Sequence, residues 1–141
     1  MCLLAMKRQE AREQAFLLIF ESGFKNEPID ELIDVALESR KIKMNTFSKR
    51  LLEGVNRHKN EIDSIIEKNS IGWKKNRISK VAISIMRLAV YEMMYERDIP
   101  ESVSINEAVE ITKKYSTKDE SSFVNGVLGS IAKDLEKPSN E

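Results

Sequence analysis

Ile78-Ser79-Lys80-Val81-Ala82-Ile83-Ser84-Ile85-Met86-Arg87-Leu88-Ala89-Val90-Tyr91-Glu92-Met93-Met94 is apolar nearly all the way round a helical wheel. A helix without a polar face must be enclosed by others, so this stretch predicts the centre of a helical bundle. Arg87 would be costly there if buried alone, and Glu92, Tyr91 or a backbone carbonyl are its candidate partners. Asp98-Ile99-Pro100 then ends the helix, because the residue before a proline avoids the helical region.

The segments on either side repeat spacings of three and four, and none shows the strict alternation of a strand. Downstream, Ser104 with Glu107 and Thr117 with Glu120 each have the spacing of a capping box, placing the starts of two further helices. The last of these has Phe123, Val127, Ile131 and Leu135 on its buried side, beside Val124 and Leu128, and Gly126 and Gly129 flatten one side for close packing. Upstream, a first helix over about Lys7 to Ser22 carries Ala15, Phe16, Leu18 and Ile19, with Gly23 as a left-handed stop. Pro28 suits the first turn of a second, to Arg40. A third begins at the capping pair Asn45-Thr46 and runs to about Lys68. Gly54 in its interior would cost about 1 kcal/mol relative to Ala unless another helix passes close there. The fold class is all-α, a compact bundle of about six to seven helices. Residues 7–136 form one domain, with a disordered or over-extended start at 1–6 and a disordered tail at 137–141.

A length of 141 residues is one domain's worth, long enough to bury a core unaided. The single cysteine, Cys2, excludes an internal disulfide and fits a reducing cytoplasm. No apolar run approaches the roughly 18 residues of a membrane helix. Net charge is zero, but residues 40–80 carry 12 basic and 4 acidic side chains, while 1–39 carry 4 and 8 and 81–141 carry 7 and 11. This asymmetry permits a local polyanion site, and a solvated basic helix face explains it equally well. Lys68 to Lys80, with five basic residues and no acid around Trp73, is where charge counting alone would put nucleic acid.

The pattern argues against an enzyme. His58 is the lone histidine, between Arg57 and Lys59, and reads as a surface residue with no ligands for a metal around it. No glycine-rich phosphate loop and no cofactor motif occurs. What remains is recognition. Arg8 and Arg12, four apart, share a face of the first helix, with Lys7 beside them and Phe20 further along near the same side. Lys113, Lys114 and Lys118 flank the turn into the last helix, followed by Phe123 and Asn125. Cations for phosphates, rings for stacking and amides for base edges suit single-stranded RNA, although both phenylalanines are by default core residues.

Four motifs carry a resemblance. Ala11-Arg12-Glu13-Gln14-Ala15, Arg87-Leu88-Ala89-Val90-Tyr91-Glu92, Ile105-Asn106-Glu107-Ala108-Val109-Glu110 and Phe123-Val124-Asn125-Gly126-Val127-Leu128, in this order, resemble the NusB family of bacterial transcription antitermination factors. The resemblance covers about residues 7–136. It implies two three-helix halves, no catalysis and no cofactor. It also implies binding of boxA-type nascent RNA together with a small-subunit ribosomal protein (NusE), in a complex that joins elongating RNA polymerase. Carried over residue by residue, the RNA contacts are Arg8, Arg12, Phe20, Asp119, Phe123 and Asn125, with Lys7 and Lys118 added to the candidate site on charge, and the ribosomal protein docks around Asn76 and Ala82. The family's arginine cluster ahead of Ala11 is reduced here to Lys7-Arg8-Gln9-Glu10, with fewer cations and an added acid. About three phosphate contacts give a single-strand salt slope near −2, so the expectation is weak RNA binding alone and tighter binding with the partner. A protein–protein adapter with little RNA affinity of its own is the alternative. Relatives fused to a cytosine-RNA methyltransferase are a third possibility, which a chain this short has no room to match.

Overall fold

The apolar stretch forms α4 (Lys80–Tyr95), in a computed structural model that describes residues 2–25, 46–70, 78–96 and 98–136. Around it lie α1 (Cys2–Lys25), α2 (Thr46–Arg57), α3 (Lys59–Lys68), α5 (Glu101–Tyr115) and α6 (Lys118–Glu136), and each of these five packs against α4. Ala82, Ile85, Met86, Leu88, Ala89 and Val90 of α4 are buried. They meet Phe16 and Leu18 of α1, Leu51 and Leu52 of α2, Ile62 of α3, Ile111 of α5, and Val124, Leu128 and Ile131 of α6 in one continuous core. Burying a side chain of this size is worth about 1.5–3 kcal/mol, so the core is the main source of stability. Ser79 starts α4 by accepting a hydrogen bond from the Ala82 amide at 3.0 Å.

Gly54 has the reason the sequence allowed for. It faces the ring of Tyr91, and a Cβ at this position would lie 2.2 Å from Tyr91 Cε1. Gly126 and Gly129 do not: a Cβ there would meet nothing within 4 Å, so neither serves close packing.

Several boundaries differ from the sequence reading. α1 begins at Cys2, ahead of Lys7, and continues through Gly23 to Lys25, so Gly23 is not a left-handed stop. The helix expected from Asn45 to Lys68 is two, α2 and α3, divided at His58 (φ −107°, ψ 20°). The hydrogen-bond ladder persists across the break, from His58 N–H to the Gly54 carbonyl (3.0 Å) and from Ile62 N–H to the His58 carbonyl (2.9 Å), which makes it a kink instead of a loop. The helix expected over Pro28–Arg40 and the basic run around Trp73 lie outside the described residues.

Ser104 does not cap α5. Pro100 occupies the cap with extended backbone and α5 starts at Glu101, while the Ser104 hydroxyl donates to Glu92 at 2.8 Å. Proline's fixed φ and missing N–H suit a helix start, and the buried Glu92 needs a donor. Thr117 does cap α6, accepting from the Glu120 amide at 3.1 Å, but the Glu120 carboxylate turns to the hydroxyls of Ser79 (2.7 Å) and Ser116 instead of closing the box.

Arg87 is paired with Asp63 of α3 through two hydrogen bonds of 2.8 and 3.0 Å, not with Glu92 or Tyr91. At about 100° per residue, Glu92 lies well round the helix from Arg87. It answers instead to Arg12 of α1, whose Nε donates to it at 2.8 Å.

Candidate nucleic-acid interface

α1 and α5 are joined by side chains that ascend both helices together, so the two run in the same direction. Gln9 reaches Glu107 at 3.4 Å, Glu13 accepts from Lys114 (2.6 Å) and from the Tyr115 hydroxyl, and the rings of Phe16 and Tyr115 lie 5.2 Å apart. Burial raises the Glu13 carboxyl, but the hydrogen bonds from Lys114 and Tyr115, with the charge of Lys114, hold it below the ordinary glutamate range. Its tie to α5 therefore contributes above that range and is lost as pH falls through the lowered value. A carboxyl-carbon NMR titration is expected to show Glu13 titrating low, and Lys114→Ala to move it up; an unmoved curve would mean that Lys114 is not its partner in solution.

Between α5 and α6 runs a groove of about 550 Å³ lined by Asn106, Lys113, Lys118, Ser121, Ser122 and Asn125, with Ser102, Ile105 and Val109 completing it and no acid in the lining. Asn106 and Lys113 lie seven apart on one face of α5, and Lys118, Ser122 and Asn125 are spaced by four and three on α6, so polar side chains of both helices line the groove. Two amides supply donors and acceptors, and two exposed lysines supply charge, Lys113 with Glu110 3.4 Å away. This chemistry suits a phosphate-linked chain with exposed base edges.

The residues singled out in the sequence are distributed unevenly. Lys118 and Asn125 meet in this groove, and Asp119 is exposed on the first turn of α6. Phe123 and Phe20 are half-buried against the core, Phe20 with its ring 6.1 Å from that of Phe16. Arg8 lies at the far end of α1 from Phe20, with its guanidinium 4.3 Å from the centre of the Phe47 ring of α2. Arg12 is 5% exposed and committed to Glu92, so its charge is not offered to solvent. Spacing had placed it correctly on the Arg8 face, but that face turns inward by the next turn. Lys7 belongs to α1, and its side chain is outside the described set. Asn76 lies outside the described residues. Ala82 is 0% exposed, so its side chain cannot dock a partner. Asn106 and the 38%-exposed Tyr115 were not singled out, although the i, i+7 spacing of Asn106 and Lys113 placed both on one face.

Among the described residues no group of three His, Cys, Asp or Glu could hold a metal ion, and no helix is long and apolar enough to cross a membrane. Fold and groove define an all-helical binding module. The chain belongs to the NusB family, whose sequence model matches residues 9–133. It is 42% identical over 130 residues to the transcription antitermination protein NusB of Ruminiclostridium cellulolyticum, covering 91% of this chain and 90% of that one. To the protein of the same name from Bacillus subtilis it is 40% identical over 132 residues, covering 94% and 99%. Among solved structures it resembles a chain from the crystal structure of antitermination factors NusB and NusE in complex with dsRNA, with a TM-score of 0.81, 32% identity, and coverage of 90% of this chain and 96% of that one.

Proposed function

We propose that this chain is a cytoplasmic transcription antitermination factor. It binds boxA-type single-stranded RNA together with the small-subunit ribosomal protein NusE and joins the elongating RNA polymerase, favouring read-through, notably of ribosomal RNA operons. The observation that carries the reading is near-full-length likeness to antitermination proteins of the NusB family, one of them solved with NusE and RNA. The role is one of binding, not catalysis.

In this reading Lys118 and Lys113 meet phosphates at the α5–α6 groove, while Asn125 and Asn106 address base edges. Lys7 and Arg8 add charge from α1, with Asp119 at the lip of the groove. Phe20 and Phe123 support the face from beneath, and Arg12 positions α1 through Glu92. The ribosomal protein docks near the start of α4 around Asn76, without the side chain of Ala82.

Few cations are left for phosphate, so affinity without the ribosomal protein is expected to be weak, with a single-strand salt slope between about −2 and −3 for three to four contacts. Fluorescence anisotropy of a boxA-like RNA at two salt concentrations, with and without the ribosomal protein, checks this, and a duplex of the same sequence tests the preference for single strands. Lys118→Ala/Asn125→Ala is expected to weaken the ternary complex about tenfold. The withdrawal of Arg12 also favours a second reading, an adapter with little RNA affinity of its own. Heterodimer formation without RNA binding in any condition would select it.

A further inference from the structure

On the side of the bundle formed by α2 and α4, a second groove of about 540 Å³ combines cations with a ladder of rings. The His58 ring stacks on Tyr95 at 4.2 Å and 20°, and Tyr95 on Tyr91 at 5.5 Å and 29°. Both tyrosines of the ladder are fixed. Gly54 lets Tyr91 lie against α2, with its hydroxyl donating to Glu96 at 3.3 Å, and the Tyr95 hydroxyl donates to Glu61 at 2.6 Å. Tyr95 is 39% exposed, and the kink between α2 and α3 brings the partly exposed His58 over it.

The wall facing these rings carries Lys49, Arg50 and Arg57 against one acid, Glu53. Arg50 is held by Glu96 through two hydrogen bonds of 2.8 and 2.9 Å. Among the described residues Lys49 and Arg57 are in no ion pair and are exposed.

We propose that this groove is a second contact site for single-stranded RNA, in which Lys49 and Arg57 bind phosphates and a nucleobase extends the His58–Tyr95–Tyr91 stack by one ring. An acidic peptide would use the two cations but leave the ladder without a role, whereas stacking on rings beside a basic wall is how single strands are held without sequence preference. The two tyrosine rings, already fixed by hydrogen bonds, lose little freedom on binding. The inference rests on the reading of the chain as an RNA-binding protein and adds to it a site for RNA flanking the recognised element.

Titration of the ¹⁵N-labelled protein with a short oligouridylate, followed by NMR, tests it. Shifts centred on Gly54, Arg57, His58 and Tyr95 are expected, and Lys49→Ala/Arg57→Ala should abolish them and weaken binding about tenfold. The same pair should flatten the salt slope by about 1.4, two single-strand phosphate contacts. Shifts confined to Lys118 and Asn125, or no shifts in the α2–α4 groove, would overturn the second site. Equal shifts with polyglutamate would also overturn it and mark a docking surface for acidic protein. A parallel titration with boxA-like RNA that leaves Lys118 and Asn125 unmoved would instead count against the α5–α6 interface, so the two failures are separable.

Discussion

Arg12→Ala is expected to remove about 3–5 kcal/mol of folding stability, the largest effect of any single substitution considered. Arg12 and Glu92 are 5% and 1% exposed and 2.8 Å apart, and among the described residues the other donor to the Glu92 carboxylate is the Ser104 hydroxyl, at 2.8 Å. Truncating the arginine leaves a buried carboxylate with one neutral donor, and the enclosing core gives water little room to replace the other. A domain of this size has about 5–15 kcal/mol in total, so the loss is a large share, and the thermal midpoint should fall by roughly 10 °C or more. Urea unfolding followed by circular dichroism measures it. Replacing both partners, Arg12→Met/Glu92→Met, should recover much of the loss, because two apolar groups need no counter-charge. Arg8→Ala, which gives up only a cation–π contact with Phe47, should cost about 0.5–1 kcal/mol. If Arg12→Ala unfolded at the original midpoint, Arg12 would be free in solution and available to RNA after all.

Gly54→Ala is expected to destabilise the protein by about 1–3 kcal/mol, although the same exchange in an open helix would stabilise it by about 1 kcal/mol. The sign is set by Tyr91. A methyl group 2.2 Å from Cε1 and 2.4 Å from Cζ cannot be accommodated without moving the ring, and the ring is buried and tied through its hydroxyl to Glu96. The second-site test is sharper than the single variant. In a Tyr91→Ala background the obstruction is gone, and Gly54→Ala should turn stabilising. Denaturant midpoints of the four proteins give the coupling directly. A stabilising Gly54→Ala in the unaltered protein would show that α2 can move away from α4 at little expense.

Much of the fold was legible because helical periodicity is a local property. The encirclement of α4, the buried row Val124–Val127–Leu128–Ile131 and the Thr117 cap all follow from residues within a few turns of one another. What was not legible depends on contacts between distant segments. Arg12 and Glu92 are 80 positions apart and Arg87 and Asp63 are 24 apart, and nothing in either helix alone names its partner. The same long-range demand drew Ser104 away from its expected cap. The kink at His58 has neither glycine nor proline to announce it.

The candidate interface divides along the same line. That Lys118 and Asn125 would be polar, solvent-facing positions was legible from the sequence, Lys118 beside the turn into α6 and Asn125 two turns along that helix. The burial of Arg12 against Glu92 was not legible, because spacing states which residues share a helical face, but not whether that face meets solvent or another helix. The lining role of Asn106 needed α6 in place beside α5 before its i, i+7 relation to Lys113 acquired meaning.

Because every other described helix leans on α4, the described helices have no seam that spares it. Removing any one neighbour exposes part of a rod that has no water-compatible side, so the remaining helices lose their shared support together. Amides of α4 are thus protected by the opening free energy of the whole protein instead of by that of any part.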